Sequence, residues 1–260
     1  MKKLMPLILT LLAILFILIS CSNNTTEPTD TYKSYFPLSL NSYWLYERYL
    51  LDEQGKPIDI TKVQDSLVIM KTALLLNKNC FQVATYDFQN QLSDTNFYYY
   101  EADAYYTYSD YINNLFKKVG KAIGFDIPIR LGNKWLKIAD FKSQTWQIAV
   151  DTIPDIEIMQ GVTIGGVMTI TGEKGASTQE NVLGTLTNVQ QFIIRINFAG
   201  KIKSAFLNGD VPINFVIYNY YAKDFGLYIT KNDKTNIDYK IGTATIDASE
   251  SKLIKYFKGQ

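Results

Sequence analysis

Hydrophobic and polar residues alternate over short runs along most of the chain beyond residue 35, and these runs are rich in β-branched and aromatic side chains. Alternation of this kind is typical of β-strands that bury one face. It predicts strands over residues 42–51, 66–71, 80–87, 96–101, 145–151, 162–171, 189–198, 213–221, 226–230 and 237–246. Asn208-Gly209 is the clearest hairpin signal, because both residue types tolerate the positive φ of a type I′ turn. We therefore expect a mainly β, antiparallel fold.

One stretch has a helical period instead. After Ser109-Asp110, a pair suited to capping a helix, apolar residues recur at spacings of three and four: Tyr111, Ile112, Leu115, Phe116, Val119 and Ile123. The pattern predicts one short amphipathic helix near residues 110–123. Two interpretations are open: the helix packs over a face of the sheet, or its lysine-rich side lies on a membrane or grips a partner.

The first twenty residues have the pattern of an export signal. Two lysines precede an apolar run over residues 4–19, which leads into Ser20 and Cys21. The stretch Leu18-Ile19-Ser20-Cys21 resembles the lipobox of bacterial lipoproteins. That resemblance implies cleavage between Ser20 and Cys21, a diacylglycerol on the Cys21 sulfur, and an acyl chain such as palmitate on the new amino terminus. The alternative is an uncleaved anchor with Cys21 incidental, although the run is short for a spanning helix of about 20 residues.

The signal divides the chain into three parts. Residues 1–20 are the lipoprotein signal peptide, residues 21–34 are the lipidated cysteine with a flexible polar tether, and residues 35–260 are the folded extracytoplasmic domain. A serine follows Cys21 where inner-membrane lipoproteins of enterobacteria carry an aspartate retention signal. The interpretation is a protein anchored by lipid at the outer membrane or cell surface, after processing and sorting by the lipoprotein machinery. Apart from this covalent lipid, no cofactor is expected.

An internal repeat relates two parts of the folded domain. Residues 36–45 align without gaps on residues 127–136 and share a pattern with proline, leucine and tryptophan at matching positions. These positions are Pro37, Leu40 and Trp44 in the first copy and Pro128, Leu131 and Trp135 in the second. Gly132 of the second copy aligns with Asn41 of the first, at the predicted turn. The repeat predicts two similar sheet halves, over 35–125 and 126–260, or one large sheet nucleated twice, with each tryptophan facing the core. Chance similarity is the alternative.

The first copy of the repeat carries a wider resemblance. The run from Tyr35 to Tyr46 (YFPLSLNSYWLY) is similar to the opening of the mature region in a group of bacterial lipoproteins of unknown function, and residues 220–228 (YYAKDFGLY) are similar to an element near their end. The resemblance implies a β-rich extracytoplasmic domain with a curved or half-barrel-like sheet. It brings no known activity.

Composition narrows the chemistry. The 260 residues include 26 Lys and Arg, 25 Asp and Glu, and no His. Without histidine there is no Ser-His-Asp triad, no Cys-His pair and no histidine ligand for zinc. The near-neutral charge gives no electrostatic case for nucleic acid as a partner. Cys80 lies in a strand pattern typical of a small core residue, and the acidic group Asp151, Asp155 and Glu157 fits a solvent-facing strand edge better than a metal site.

Tyrosine is the residue in excess, with 19 copies. The clusters Tyr98-Tyr99-Tyr100, Tyr105-Tyr106 and Tyr218-x-Tyr220-Tyr221 place phenol rings on both faces of their strands. Inward rings would fill the core, and outward rings would offer a platform for sugars, apolar ligands or a partner. The residues predicted for such a platform are Tyr98, Tyr99, Tyr100, Tyr105 and Tyr106. A simple preference of tyrosine for strands is the alternative.

These observations favour a lipid-anchored envelope protein that is not an enzyme and has a binding or envelope-assembly role, with an unknown ligand or envelope protein as its partner. One alternative is a carrier that holds a lipid or other apolar ligand inside a half-barrel. Another is a carboxylate-based hydrolase of envelope glycans, which needs two carboxylates about 5 to 10 Å apart in a cleft.

Overall fold

The computed structural model describes residues 32–110, 112–114, 117, 131–238, 240 and 242–260. Two short 3-10 helices cover Lys33–Tyr35 and Asp59–Thr61, and the rest is mainly strand. The strands are β1 (Tyr43–Leu50), β2 (Val63–Leu75), β3 (Lys78–Tyr86), β4 (Leu92–Glu101), β5 (Ala104–Tyr108), β6 (Trp135–Asp140), β7 (Thr145–Met159), β8 (Val162–Val182), β9 (Thr185–Lys203), β10 (Asn208–Ala222), β11 (Gly226–Asn232), β12 (Thr235–Asp238), β13 (Thr243–Ile246) and β14 (Ser249–Phe257).

Twelve of these strands form one antiparallel sheet, and β12 and β13 form a separate hairpin. The order across the sheet is β6-β5-β4-β3-β2-β1-β14-β11-β10-β9-β8-β7. The two edge strands follow each other in the chain, and the sheet curls until they approach: Trp146 Nε1 on β7 donates to Lys137 O on β6 at 2.8 Å. The predicted mainly β, antiparallel, curved fold is confirmed, and the curl goes beyond a half-barrel to a nearly closed one.

Because neighbouring strands are antiparallel, successive turns lie at alternate ends of the sheet. One end carries the β2–β3, β4–β5, β6–β7, β8–β9 and β10–β11 turns. The chain joins the body at this end, since the ring of Tyr32 stacks on Phe141 of the β6–β7 turn, and Ser34 O accepts a hydrogen bond from Asp224 N of the β10–β11 turn. We call it the entry end. The opposite, far end carries the β1–β2, β3–β4, β7–β8 and β9–β10 turns and the connection from β11 to β14.

Two large groups of buried side chains fill the inside of the curled sheet. The aromatic cluster lies towards the entry end and includes Tyr35, Trp44, Tyr46, Tyr98, Tyr105, Phe141, Phe192, Tyr221 and Tyr228. The aliphatic cluster lies towards the far end and includes Ile112, Leu131, Leu136, Ile148, Met168, Ile170, Ile194, Ile196 and Ile217. Most of these strands therefore bury mainly one face, as their alternation predicts, whereas β5 buries residues on both faces.

The predicted helix is present in part. Residues 110, 112–114 and 117 are helical, and the remaining residues of the predicted 110–123 helix lie outside the described chain. Ile112 is buried in the aliphatic cluster. The described part of the helix thus packs against the inside of the sheet, as the first of the two interpretations expects.

Several strand boundaries differ from the prediction. The alternation did not identify β5, β6 or β14, and the single strand expected over 237–246 is the β12–β13 hairpin. Asn208 and Gly209 are not the hairpin turn but the first residues of β10. The turn lies just before them, where Ser204 N donates to Leu207 O and the Ser204 hydroxyl accepts from the N–H groups of residues 206 and 207.

The folded body also begins earlier than expected. Tyr32 packs on Phe141, its carbonyl accepts the Tyr105 hydroxyl, and residues 33–35 form a 3-10 helix. The last three residues of the predicted tether over 21–34 therefore belong to the body. Two rings, one from Tyr32 and one from Tyr35, lie against Phe141 and hold the segment in place.

The repeat places its two tryptophans at the starts of β1 and β6 in the same sheet. Asn41 has the left-handed φ of 61° expected at its turn, and Trp44 is buried in the aromatic cluster. Trp135 differs, because its ring packs against Tyr99 and Tyr108, and Leu136 enters the core beside it. The expectation that both tryptophans face the core is therefore correct only for Trp44. Pro128 lies outside the described residues, and the described copy continues with buried Leu131 and exposed Gly132.

Candidate functional site

A groove on the outer face of the sheet, close to the far end, combines aromatic, apolar and charged side chains. Its volume is about 760 Å³, which is within the range of small-molecule sites. We call it the tyrosine groove. It is lined by Leu51, Asp52, Glu53, Gly55, Ile58, Tyr218, Tyr220, Lys231, Asn232, Asp233, Lys234, Asp247 and Ala248.

The floor of the groove follows from the register of β10 and β11. Along β10, Phe215, Ile217 and Tyr221 are buried, so Tyr218 and Tyr220 point to the opposite, outer face. Tyr218 lies opposite Lys231 of β11. Tyr220 lies two residues further along β10, and its ring is therefore on the same outer face as that of Tyr218. Two phenol rings thus lie side by side at the bottom of the groove.

Both phenol hydroxyls are held by neighbours. Tyr218 Oη donates to Asp233 Oδ2 at 2.8 Å, and this hydrogen bond raises the pKa of Tyr218. Tyr220 Oη accepts from Gln191 Nε2 at 2.8 Å. These bonds fix the ring positions before any ligand arrives, which reduces the ordering cost of binding.

One wall of the groove is the turn after β1. Asp52 N donates to Lys56 O at 2.9 Å, and Asp52 Oδ1 accepts from the N–H groups of Gln54 and Lys56 at 2.9 and 2.8 Å. Gly55 has a φ of 74°, which suits glycine at this tight position. The carboxylate of Asp52 is therefore used to build the wall.

The other wall comes from the chain on either side of the β12–β13 hairpin. Asn232 Nδ2 donates to Asp247 O at 2.8 Å, and Asn232 Oδ1 accepts from the Ser249 hydroxyl at 2.5 Å. The two walls meet where Leu51 N donates to Ala248 O at 2.9 Å. The pairing of β14 between β1 and β11 is what brings them together.

Charges of both signs surround the rings. Lys231 forms an ion pair of 2.7 Å with Glu250, while the carboxylates of Glu53 and Asp247 and the ammonium of Lys234 also line the groove. Aromatic faces beside both hydrogen-bond donors and hydrogen-bond acceptors suit a ligand with apolar C–H faces and many hydroxyls. The arrangement is therefore suited to binding a polar, ring-containing molecule.

The five tyrosines predicted as a ligand platform lie elsewhere. Tyr98 and Tyr105 are in the aromatic cluster, Tyr99 is buried on the other face, stacked on Tyr106 at 4.6 Å, and Tyr100 packs on Tyr105 at 5.1 Å. Burial and stacking leave these rings little surface for a ligand. They stabilise the first half of the sheet, and the outward tyrosines of the groove are on β10 instead.

The other predicted positions have structural partners. Cys80 is a buried free cysteine whose thiol donates to Ala73 O at 3.3 Å, and burial raises the pKa of this thiol. On the edge strand β7, Asp155 pairs with Lys203 at 2.8 Å and Glu157 accepts from Gly161 N at 2.7 Å. Over the described ranges, no group of three or more acidic or cysteine side chains is placed to hold a metal ion. The predicted cleavage and lipidation residues, Ser20 and Cys21, lie outside the described residues.

The interior bears on the carrier hypothesis. The aromatic and aliphatic clusters occupy the inside of the curled sheet, where the ring of Phe192 contacts Phe141 at 4.9 Å and Tyr221 at 5.8 Å. In this part of the described chain, buried side chains line the inside of the sheet.

Within the described ranges, no helix is long and apolar enough to cross a membrane.

The sequence pattern located the floor of the groove but not its walls. The i, i+2 spacing of Tyr218 and Tyr220 on a predicted strand is a visible signal for one outer face. The walls come from turn residues 52–58 and 233–234, which are far apart in sequence. Their contact depends on strand order, which alternation does not encode.

Comparison with known proteins adds a likeness of fold. No family model and no curated protein matches the chain. Among solved structures, it is similar to an inferred lipoprotein from Parabacteroides distasonis ATCC 8503, with a TM-score of 0.43 and 9% identity over 86% of this chain and 98% of that one. It is also similar to an inferred exported protein with a YmcC-like fold from Bacteroides fragilis NCTC 9343, with a TM-score of 0.41 and 9% identity over the same shares of the two chains. Likeness at this level carries no argument about function.

Proposed function

We propose that this protein is a lipid-anchored, extracytoplasmic binding protein that is not an enzyme, and that its tyrosine groove binds a glycan chain of the cell envelope. The observation that carries the proposal is the pair of outward rings, Tyr218 and Tyr220, between walls that bear carboxylates and ammonium groups. The export signal and the lipobox resemblance at Leu18-Ile19-Ser20-Cys21 support the location.

A glycan suits the groove for chemical reasons. Sugar rings present apolar C–H faces that stack on aromatic side chains, and their hydroxyls both donate and accept hydrogen bonds. Glu53, Asp233 and Asp247 supply acceptors, while Lys231 and Lys234 supply donors. An envelope protein held by lipid would meet such chains in peptidoglycan and in surface polysaccharides.

The groove is tested by binding to an array of muropeptides and surface oligosaccharides. Truncating either ring should weaken binding to the recognised glycan, because the stacking surface is lost. We expect about fivefold or more for Tyr218→Ala and for Tyr220→Ala, by analogy with aromatic contacts worth about 1 kcal/mol and above. Tyr86→Ala, a tyrosine outside the groove, is the matched control and should bind normally. Binding that survives both groove variants, or no binding to any glycan on the array, would contradict the proposal.

The anchor is tested separately. Cys21→Ala should abolish acylation and leave the signal uncleaved, and globomycin should cause the precursor to accumulate with its signal attached. Mass spectrometry of the membrane-bound protein measures the lipid directly. A mature, membrane-bound protein of unchanged mass in the variant would overturn the anchoring proposal without affecting the groove.

A further inference from the structure

Two hairpin turns at the entry end begin with a leucine in the left-handed region. Leu76 has a φ of 47° in the β2–β3 turn, and Leu183 has a φ of 51° in the β8–β9 turn. Such positions suit glycine or asparagine, because the Cβ of other residues crowds the backbone there. The residues that follow, Asn77 and Gly184, are of the favoured types. Neither leucine is therefore explained by the conformation of its turn.

Burial does not explain these leucines either. Leu76 is 50% exposed and Leu183 is 42% exposed, and the leucines next to them on the strands, Leu74 and Leu186, are 72% and 69% exposed. Each hairpin thus ends in two exposed leucines, one of them in a strained conformation. We call these four residues the leucine tips.

We propose that the leucine tips insert into the lipid bilayer that holds the anchor, so that the entry end of the body docks on the membrane. The inference rests on the proposed lipidation of Cys21. The free energy of the system falls when apolar side chains at hairpin tips leave water for the acyl region, while the strands above them keep their backbone hydrogen bonds. This stabilisation offsets the backbone strain and the exposure of apolar surface, which nothing in the folded body alone compensates.

The position of the chain entry identifies the bilayer as the occupant. The body begins at Tyr32, which packs on the β6–β7 turn at the same end of the sheet as both tips. Ten residues separate Cys21 from Tyr32, and even fully extended they reach only about 40 Å. Strand β9, with 19 residues, is about 60 Å long. The tether is therefore too short to span the length of β9, and docking through the leucine tips would leave the far end, with its tyrosine groove, directed away from the bilayer.

The test uses the full-length lipidated protein in vesicles of phosphatidylethanolamine and phosphatidylglycerol. Single cysteines for an environment-sensitive fluorophore are introduced by Leu76→Cys, Leu183→Cys or, at the far end, Phe206→Cys, where the native side chain is fully exposed. The parent protein, whose Cys80 is buried, controls for background labelling. Quenching by lipids that carry a doxyl group should be at least twofold stronger at positions 76 and 183 than at position 206.

The outcomes separate docking from anchoring. Protein that floats with the vesicles but shows equal quenching at the three positions, or stronger quenching at position 206, overturns the docking while the anchor stands. Protein that does not float with the vesicles overturns the anchor and, with it, the docking.

A second variant distinguishes membrane contact from a purely structural role. Leu76→Asn combined with Leu183→Asn should leave resistance to urea unchanged or raised, because asparagine accepts the left-handed conformation. A fluorophore introduced by Leu186→Cys should be quenched in the parent and should lose at least half of that quenching in the double variant. A double variant with a lower urea midpoint and unchanged quenching would show that the leucines serve the fold instead.

Discussion

The two buried clusters are built from different side chains. In the aromatic cluster near the entry end, Trp44 stacks on Tyr256 at 5.3 Å and its indole N–H donates to Phe225 O at 2.6 Å. Tyr46 Oη donates to Leu227 O at 2.7 Å. The aliphatic cluster, by contrast, consists mainly of isoleucine and leucine side chains, which have no polar atoms.

The difference in side-chain composition corresponds to the kind of backbone that packs on each cluster. The aromatic cluster holds irregular chain, namely the segment from Tyr32 to Phe36 and the β10–β11 turn. Its ring N–H and hydroxyl groups donate to the carbonyls of Tyr32, Phe225 and Leu227. The aliphatic cluster packs under long, regular strands whose backbone groups are already paired. Aromatic residues thus fix particular loops, whereas the aliphatic residues need only fill volume.

The strongest way to break this contrast is to remove an aromatic anchor. Trp44→Ala should lower the free energy of unfolding by about 3–5 kcal/mol, because it leaves a cavity and an unpaired carbonyl at Phe225. Urea unfolding followed by circular dichroism measures the loss, and hydrogen exchange should rise first at residues 225–227. Met168→Leu, a volume-conserving change at a fully buried site of the aliphatic cluster, should cost less than about 1.5 kcal/mol. Equal losses in the two variants would remove the distinction.

The turn that carries Phe141 provides the second test. Asp140 is buried at the end of β6, where it pairs with Lys137 at 2.7 Å and accepts from Lys142 N and Ser143 N at 2.9 and 3.0 Å. Asp140→Ala should cost about 2–3 kcal/mol, because these donors lose their acceptor. Asp155→Ala, which removes an exposed ion pair from the long strands, should cost about 0.5 kcal/mol or less. A loss at Asp155 as large as that at Asp140 would contradict this reading.

The same carboxylate should make stability depend on acid pH. Burial alone would raise the pKa of Asp140, but the Lys137 ammonium and the two backbone N–H groups outweigh it and lower the pKa to about 2. A group with a lowered folded pKa stabilises above its unfolded pKa of 3.8, and this contribution disappears as the pH falls towards 2. Urea titrations at pH 5 and pH 2 should therefore show a smaller pH effect in Asp140→Asn than in the parent. Parallel pH curves would exclude Asp140 as a source of the effect.

A smaller effect sharpens the role of the phenol groups. Tyr46→Phe keeps the ring but removes the donor to Leu227 O, so it should cost about 1 kcal/mol. Tyr86→Phe is the matched control, because its hydroxyl contacts only the Met70 sulfur at 3.9 Å among the described partners, and it should be close to neutral. If the two variants unfold at the same urea concentration, the hydroxyl of Tyr46 makes no measurable contribution to the free energy of unfolding.

A change of similar size tests the aliphatic cluster. Ile170→Val removes one methylene from a fully buried side chain and should cost about 1 kcal/mol. Because no loop depends on Ile170, hydrogen exchange in the 225–227 turn should stay as in the parent. Faster exchange there would mean that the two clusters unfold as one unit.

The same contrast explains what the sequence could predict. Strands of the aliphatic region were found because residues such as Ile194 and Ile196 alternate with polar neighbours. β14 was missed because its run Ser249-Glu250-Ser251-Lys252 is polar on both faces, although it pairs with β1 and β11. Alternation did not identify β5 and β6, because a dense tyrosine run and a single tryptophan give no clear period; only the tyrosine clusters and the repeat indicated strands there.

The groove was predictable only in its floor. Tyr218 and Tyr220 are recognisable from their spacing, but the arrival of residues 51–58 beside residues 233–234 follows from the position of β14 between β1 and β11. The pattern of alternation along the sequence predicts which face of a strand is buried, but it does not predict which strands lie beside it in the sheet. The platform expected at Tyr98 to Tyr106 failed for a related reason, since spacing alone does not reveal that both faces of those strands are covered.

The place of β14 also matters while the protein folds. This strand is the only described pairing that joins β1–β6 to β7–β11, and Tyr43 finds its partner Phe257 more than 200 residues later in the chain. Until β14 has paired with both of its neighbours, the folding chain can form at most two separate sheets, with unpaired edges at β1 and β11. Such edges pair readily with other chains. The pairing of β14 with both neighbours therefore ends the stage of folding in which the protein is most exposed to misassembly.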